Sequence, residues 1–313
     1  MTQRLAVVLC KDRNPTAEQE ALVANLAAGL ENRPGLDVTV MPHLYDLAPN
    51  GPAVRLLRSA GGPMIVLAWL YPRAASWVLD ANGVRGRLGP TPSLPEEDAG
   101  EPAVPDRRAD LPDRTIWCLD LREHQRPEPY LAEVERIAET VLSPAVADRR
   151  ASPATRHPPP ATGSRIMDEA TRPRWYPVVD FCRCTNCMEC LNFCLFGVYS
   201  LGEEDAVLVE QPDACRNGCP ACSRICPEGA IMFPQHKDPA IAGDPKASRK
   251  GLKLDLSQLF GGAHPAQLAA AERNRAFAEK DRENRPPAEP QSPHAEGGED
   301  LDRLVEKLDE LDL

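Results

Sequence analysis

The chain has 313 residues, a formal net charge of −11 and 33 prolines, about twice the usual share, while aromatic residues supply only 5%. The acidic balance argues against a nucleic-acid partner, because phosphate contacts need a basic face. The longest apolar stretch, Met64 to Tyr71, is far short of the roughly 20 residues that cross a bilayer, so no membrane span is expected. The length predicts two domains joined by linkers.

Residues 4–142 alternate between strand and helix patterns. Leu5 to Leu9 reads as a buried strand, and Pro15 to Leu30 has helical spacing at Ala17, Ala21, Leu22, Leu26 and Leu30. Leu36–Met41 is a second strand and Pro52–Ser59 a short helix; Pro63–Trp69 is a third strand, with a helix beginning near Ala74–Leu79. An acidic, proline-rich insertion at 90–113 precedes a fourth strand, Thr115–Leu119, and the helix Pro129–Leu142. This alternation predicts an α/β domain over 1–142 with an open, mostly parallel sheet.

Residues 143–173 form a Pro-, Ala- and Arg-rich linker, expected to be extended. A cysteine-rich segment occupies 174–238. Residues 239–299 read as a further linker carrying an exposed helix at 265–280, with low complexity over 281–299. Residues 300–313 place Leu301, Leu304, Val305, Leu308 and Leu311 on one stripe of an acidic amphipathic helix, a candidate docking element.

The chemistry is concentrated in the cysteines, eleven in all. The first residues carry no signal-peptide pattern, so these thiols are expected to be reduced in a bacterial cytoplasm, where such spacing reads as metal binding and not as disulfides. One block is Cys184, Cys187, Cys190 and Cys194; the other is Cys215, Cys219, Cys222 and Cys226, followed by Pro227. Cys187, Cys190 and Cys194 recur 32 residues on as Cys219, Cys222 and Cys226. Apolar strands frame both halves: Tyr176–Val179, Gly197–Leu201, Ala206–Val209 and Ala230–Phe233, with a turn at Gly202–Asp205. A cubane needs four thiolates at tetrahedrally disposed irons. A closely spaced triplet wraps one face, and the fourth thiolate has to come from elsewhere.

Here the sequence resembles the two-cluster bacterial ferredoxins, down to Cys226-Pro227-Glu228-Gly229-Ala230-Ile231. The resemblance implies a small α+β fold of paired hairpins, electron transfer as the activity, and two [4Fe–4S] clusters bound crosswise. Cys184, Cys187, Cys190 and Cys226 would hold one; Cys194, Cys215, Cys219 and Cys222 the other. Three departures stand out. The spacing Cys215 to Cys219 holds one extra residue, which Gly218 could absorb in a bulge. Leu195 replaces the proline usual after the first block. Cys182 lies close enough to Cys184 to compete as a ligand.

The remaining signals are weaker. Residues 1–142 lack both a G-x-G-x-x-G loop and a P-loop, so no phosphate cradle is expected. Their layout resembles sirohydrochlorin-chelatase-like α/β domains, although Cys10-Lys11 stands where those enzymes carry a metal-handling histidine. The loop Lys11–Thr16 occupies the position where α/β sheets bind ligands; Asn14 or Thr16 alternatively caps the next helix. Cys10 and Cys118 read as small apolar strand residues. His43 and His124 lie near strand ends, where they either line a common crevice or sit as half-buried polar residues.

The first expectation is therefore an electron-transfer iron–sulfur protein that meets a redox partner protein, with the α/β domain as an accessory docking module. Two alternatives stay open: a redox enzyme whose α/β domain binds a substrate or cofactor such as a tetrapyrrole, and a zinc-stabilised interaction module. Each oxidised cubane adds about two negative charges to an already acidic chain, which leads us to expect a low potential.

Overall fold

The computed structural model describes residues 4–93, 111–142, 164–202, 205–247 and 265–284. The expected helix at 300–313, most of the insertion and linkers, and Glu203 and Glu204 of the hairpin turn lie outside them. Residues up to Asn274 form one compact unit, and Arg275 onward a second.

Six strands form one all-parallel sheet: β1 (Leu5–Cys10), β2 (Leu36–Met41), β3 (Met64–Ala68), β4 (Arg87–Leu88), β5 (Thr115–Asp120) and β6 (Arg165–Ile166), in the order β4-β5-β3-β1-β2-β6. Side chains alternate across the pleat. Leu5, Val7, Leu9, Ile65 and Leu67 face one layer, while Val8, Cys10, Met64, Val66, Ile116 and Cys118 face the other. Both faces are covered, which explains the unbroken apolar runs of β1 and β3.

The first layer is built by α1 (Ala17–Glu31), through Leu22, Val23, Leu26 and Leu30, and by α4 (Glu128–Leu142), through Tyr130, Val134, Ile137 and Val141. Thr16 starts α1 with a capping box in which its hydroxyl accepts from the Gln19 amide and Gln19 Oε1 accepts from the Thr16 amide. The second layer holds α2 (Pro52–Ser59) and α3 (Pro72–Ala81), each opened by a proline whose missing N–H is harmless at that position. Residues 165 and 166, within the stretch read as linker, add β6 to the sheet edge, and Glu169 Oε2 accepts from the Ala53 amide in the first turn of α2.

The cysteine segment contributes β7 (Val178–Val179) paired antiparallel with β10 (Ile231–Met232), and β8 (Tyr199–Leu201) paired antiparallel with β9 (Val207–Val209). Two short helices, α5 (Glu189–Phe193) and α6 (Ala221–Ile225), follow the cysteine loops, and α7 (Pro239–Ala242) follows β10. Tyr176, Val178 and Met232 join the core of the second layer beside α2 and α3. The segment thus shares a hydrophobic core with the sheet.

Polar contacts lock the two together. Tyr45 and Tyr176 stack with ring centroids 4.3 Å apart; the Tyr45 hydroxyl donates to the Tyr176 carbonyl and accepts from its amide at 2.7 Å. Tyr45→Phe is expected to cost about 1–3 kcal/mol, since it strands a buried amide and carbonyl; a urea titration comparing midpoints checks this. Arg73 on α3 donates from Nε to Asp180 Oδ2 at 2.6 Å and from Nη2 to the Gly229 carbonyl at 3.0 Å. Gly243 (φ +99) abuts α3 so closely that a Cβ there would fall 3.0 Å from that of Ala74.

Candidate metal centre

The two cysteine loops take their shape from residues that tolerate left-handed backbone. In the first, Asn186 (φ 58) and Met188 (φ 62) turn the chain between Cys184, Cys187 and Cys190. Asn186 is held by its side chain, which accepts from the Val207 amide at 2.9 Å and donates to the Asp205 carbonyl at 2.8 Å. In the second, Gly218 (φ +77) takes up the extra residue between Cys215 and Cys219, and a side chain there would meet open space. Only the backbone conformation demands glycine at that position.

Each loop runs into one turn of helix, α5 or α6. The helix ends on the fourth cysteine in extended conformation, with Cys194 and Cys226 donating their amides to Cys190 and Cys222 carbonyls. That exit carries each fourth cysteine away from its own triplet. Cys184, Cys187, Cys190 and Cys226 line one recess of ≈ 390 Å³, open to solvent space. Cys194, Cys215, Cys219 and Cys222 line the other, of ≈ 300 Å³. The structure therefore brings together all eight sequence-predicted cysteines, in two sets of four, each drawing one member from the other block.

Electrostatics groups them the same way. Burial first, then the neighbouring Cys226, Cys184 and Cys187, push the Cys190 thiol up to about 12. Burial also raises Cys222 strongly, seconded by Cys215, Cys194 and Cys219, while the Tyr199 hydroxyl donating to its Sγ at 3.1 Å opposes the rise. Each thiol opposes the ionisation of its neighbours, and a multivalent cation would offset that repulsion. Amides already point at the sulfurs: Ala230 donates to Cys226 Sγ at 3.3 Å, and the Leu191 and Ala221 amides favour the thiolates of Cys190 and Cys219. The donor set of four thiols at each recess and these N–H groups suit an iron–sulfur cube. Among the described residues, no three His, Cys, Asp or Glu side chains gather as a site for a single ion.

Cys182 lines neither recess; it packs against the core of the sheet, its amide donating to Asp180 Oδ1 at 3.0 Å. Cys10 and Cys118 are wholly buried strand residues, and burial raises Cys10 to about 12 and raises Cys118 as well. Their thiols are inert at neutral pH. His43 is buried with its Nε2 3.1 Å from Gln235 and its Nδ1 3.6 Å from Asp46, and desolvation lowers it to about 4. His124 is exposed and meets the Tyr130 ring edge-on. The two histidines thus sit in opposite environments.

Several contributors to the site escaped sequence reasoning. Tyr199 was visible only as a strand residue. Trp175, whose Nε1 donates to the Cys219 carbonyl at 3.3 Å and whose ring stacks on Phe233, carried no local signal at all. Asp180 lies beside the cysteine block, yet its partner Arg73 is 107 residues away.

Two relatives bear on what such a site does. An uncharacterized ferredoxin of the archaeon Methanocaldococcus jannaschii is 47% identical over 66 residues, which are 21% of this chain and 44% of that protein. A second uncharacterized ferredoxin of the same organism is 40% identical over 50 residues, 16% of this chain and 77% of its own. The chain belongs to the ferredoxins through this segment. The ferredoxin segment is thus an iron–sulfur unit of the electron-carrying kind. The chain spans less than half of the first relative, and both relatives are archaeal, so the likeness does not tie the chain to bacteria. No family model and no solved structure matches the chain. The resemblance of residues 1–142 to sirohydrochlorin-chelatase-like domains finds no support in these comparisons. Among the described residues, no helix is long and apolar enough to cross a membrane.

Proposed function

We propose that the protein is an electron carrier holding two [4Fe–4S] clusters, with Cys184, Cys187, Cys190 and Cys226 as ligands of one and Cys194, Cys215, Cys219 and Cys222 of the other. The observation that carries this reading is the crosswise lining of two recesses by four cysteines each. Each cubane, when bound, accepts and returns one electron. The protein's share is to hold the thiolates, direct amides at sulfur and limit water. Cys219 and Cys222 are buried, whereas Cys187 is exposed, so the first recess is the natural point of exchange with a partner protein. Its rim carries Glu189 and Glu228, which favours a partner with a basic docking face.

The α/β domain serves in this reading as a rigid platform. Open α/β sheets bind ligands outside the carboxyl ends of their strands, where the strand order switches between β1 and β3. That edge is occupied here by the ferredoxin segment's own flanks. Arg13, after β1, donates to the Arg174 carbonyl at 3.1 Å; Asp46, after β2, accepts from the Arg174 amide at 2.9 Å; and His43 meets Gln235. This coverage favours a docking role over a substrate-binding one.

Anaerobic purification with iron, sulfide and zinc analysis tests the reading. Roughly eight irons per chain, with EPR signals of interacting reduced cubanes, are expected. A colourless, zinc-loaded protein would refute it.

A further inference from the structure

We propose that Arg273, delivered by the helix that follows the ferredoxin segment (α8, Pro265–Asn284), selectively raises the reduction potential of the site formed by Cys194, Cys215, Cys219 and Cys222. The proposal rests on the two-cluster reading above and adds to it a tuning residue outside the cysteine motif.

The two recesses differ in the charge that faces them. Glu189 and Glu228 line the first, and no lysine or arginine among the described residues does. Arg273 lines the second, beside Phe193 and Tyr199, with no carboxylate among the lining residues. Its guanidinium lies 4.1 Å above the Phe193 ring, and Nη1 donates to the Phe193 carbonyl at 3.4 Å. Among the described residues, its other contact is the Asn274 side-chain oxygen at 3.3 Å. All three partners are neutral, so they position the cation without cancelling it. The neighbouring Glu272 is already matched by Arg224, Nε to Oε2 at 2.6 Å. Glu272 acts on Cys219 in the opposite sense to Arg273, but of the two only Arg273 lines the recess.

Reduction adds one negative charge, so a fixed cation favours the reduced form, and the preference grows where water is excluded. Cys219 and Cys222 are buried, which weakens solvent screening of Arg273 and by itself makes reduction harder. Arg273 offsets that penalty, together with the Tyr199 hydroxyl donating to Cys222 Sγ. Arg73 is a buried cation that interacts with Cys226 of the first recess, but its charge is met by Asp180.

The test uses the full chain purified under argon, with iron and sulfide counted before an EPR-monitored redox titration. In Arg273→Gln, wild-type iron content is expected, with one of the two couples shifted to lower potential and the other unmoved. Arg273→Lys, which keeps the charge, is expected to stay close to wild type. Arg136→Gln removes an exposed charge from α4, on the opposite face of the sheet, and is expected to move neither couple. Unmoved couples in Arg273→Gln at normal iron content would overturn the role of Arg273 alone, as would a lysine variant shifted as far as the glutamine one. A wild-type chain without iron would overturn the cluster reading itself.

Discussion

Cys194→Ser is expected to remove about half of the iron while leaving the site built on the first cysteine triplet intact. The expectation follows from where the chain sends Cys194: out of α5 and into the recess of Cys215, Cys219 and Cys222. Were each block to serve its own cluster, the same variant would instead disable the site at Cys184, Cys187 and Cys190. Cys226→Ser is the reciprocal case and is expected to spare the second site. The two half-loaded proteins are distinguishable by EPR, because only Cys194→Ser retains the site with an exposed ligand, Cys187, and so only its signal should respond readily to an added ferricyanide-type oxidant. Equal loss of both sites in both variants would mean that the segment folds around its clusters as a single cooperative unit, and the crosswise assignment would then require structural proof.

Arg73→Met is expected to destabilise the protein by about 3 kcal/mol, because it leaves the buried Asp180 carboxylate with only the half-exposed Arg183, 3.8 Å away, as a cation. Both side chains are almost wholly enclosed, at 7% and 5% exposure. Desolvation is the largest influence on Arg73 and disfavours its charge; Asp180 is the main force opposing that. The loss also frees the Gly229 carbonyl, one residue from the Ala230 amide that donates to Cys226 Sγ. Faster bleaching of the cluster absorption is therefore expected along with a lower urea midpoint. The double variant Arg73→Met, Asp180→Leu should recover much of the loss, since replacing a buried ion pair by apolar side chains is often close to neutral. A single variant as stable as wild type would show that the ferredoxin segment is held to α3 by its apolar contacts alone.

How much of this was legible beforehand depended on range. β2 and α2 were read with their observed bounds, because a periodic apolar pattern bounded by glycine or proline is written in consecutive residues. The helix beginning near Ala74 extends back to Pro72, a proline acting as a start signal. By contrast, β4 and β6 are two-residue edge strands, Arg87–Leu88 and Arg165–Ile166, too short to show any period. Their strand character comes from the neighbours they pair with. A capping role for Thr16 or Asn14 is one of two readings of the Lys11–Thr16 loop; the structure has Thr16 in that role, with Gln19 completing a capping box.

The cysteines were legible for a related reason. A polynuclear site needs thiolates at short, regular spacing, and the repeat at 32 residues records two equivalent loops in the linear chain. Arg73, Tyr45, Trp175 and Arg273 have no such record. Their partners are distant in sequence, and an arginine on a helix looks the same whether it faces water or a thiolate cage.

Residue types and their spacing alone thus determined the metal-binding chemistry and the alternation of strand and helix, since both depend on interactions within a few turns of chain. Only the tertiary structure decided that the ferredoxin segment covers the carboxyl edge of the sheet and that one recess faces acids while the other faces an arginine. Those outcomes depend on long-range burial, in which an apolar surface or an unpaired charge takes its partner from whichever part of the chain the packing brings alongside.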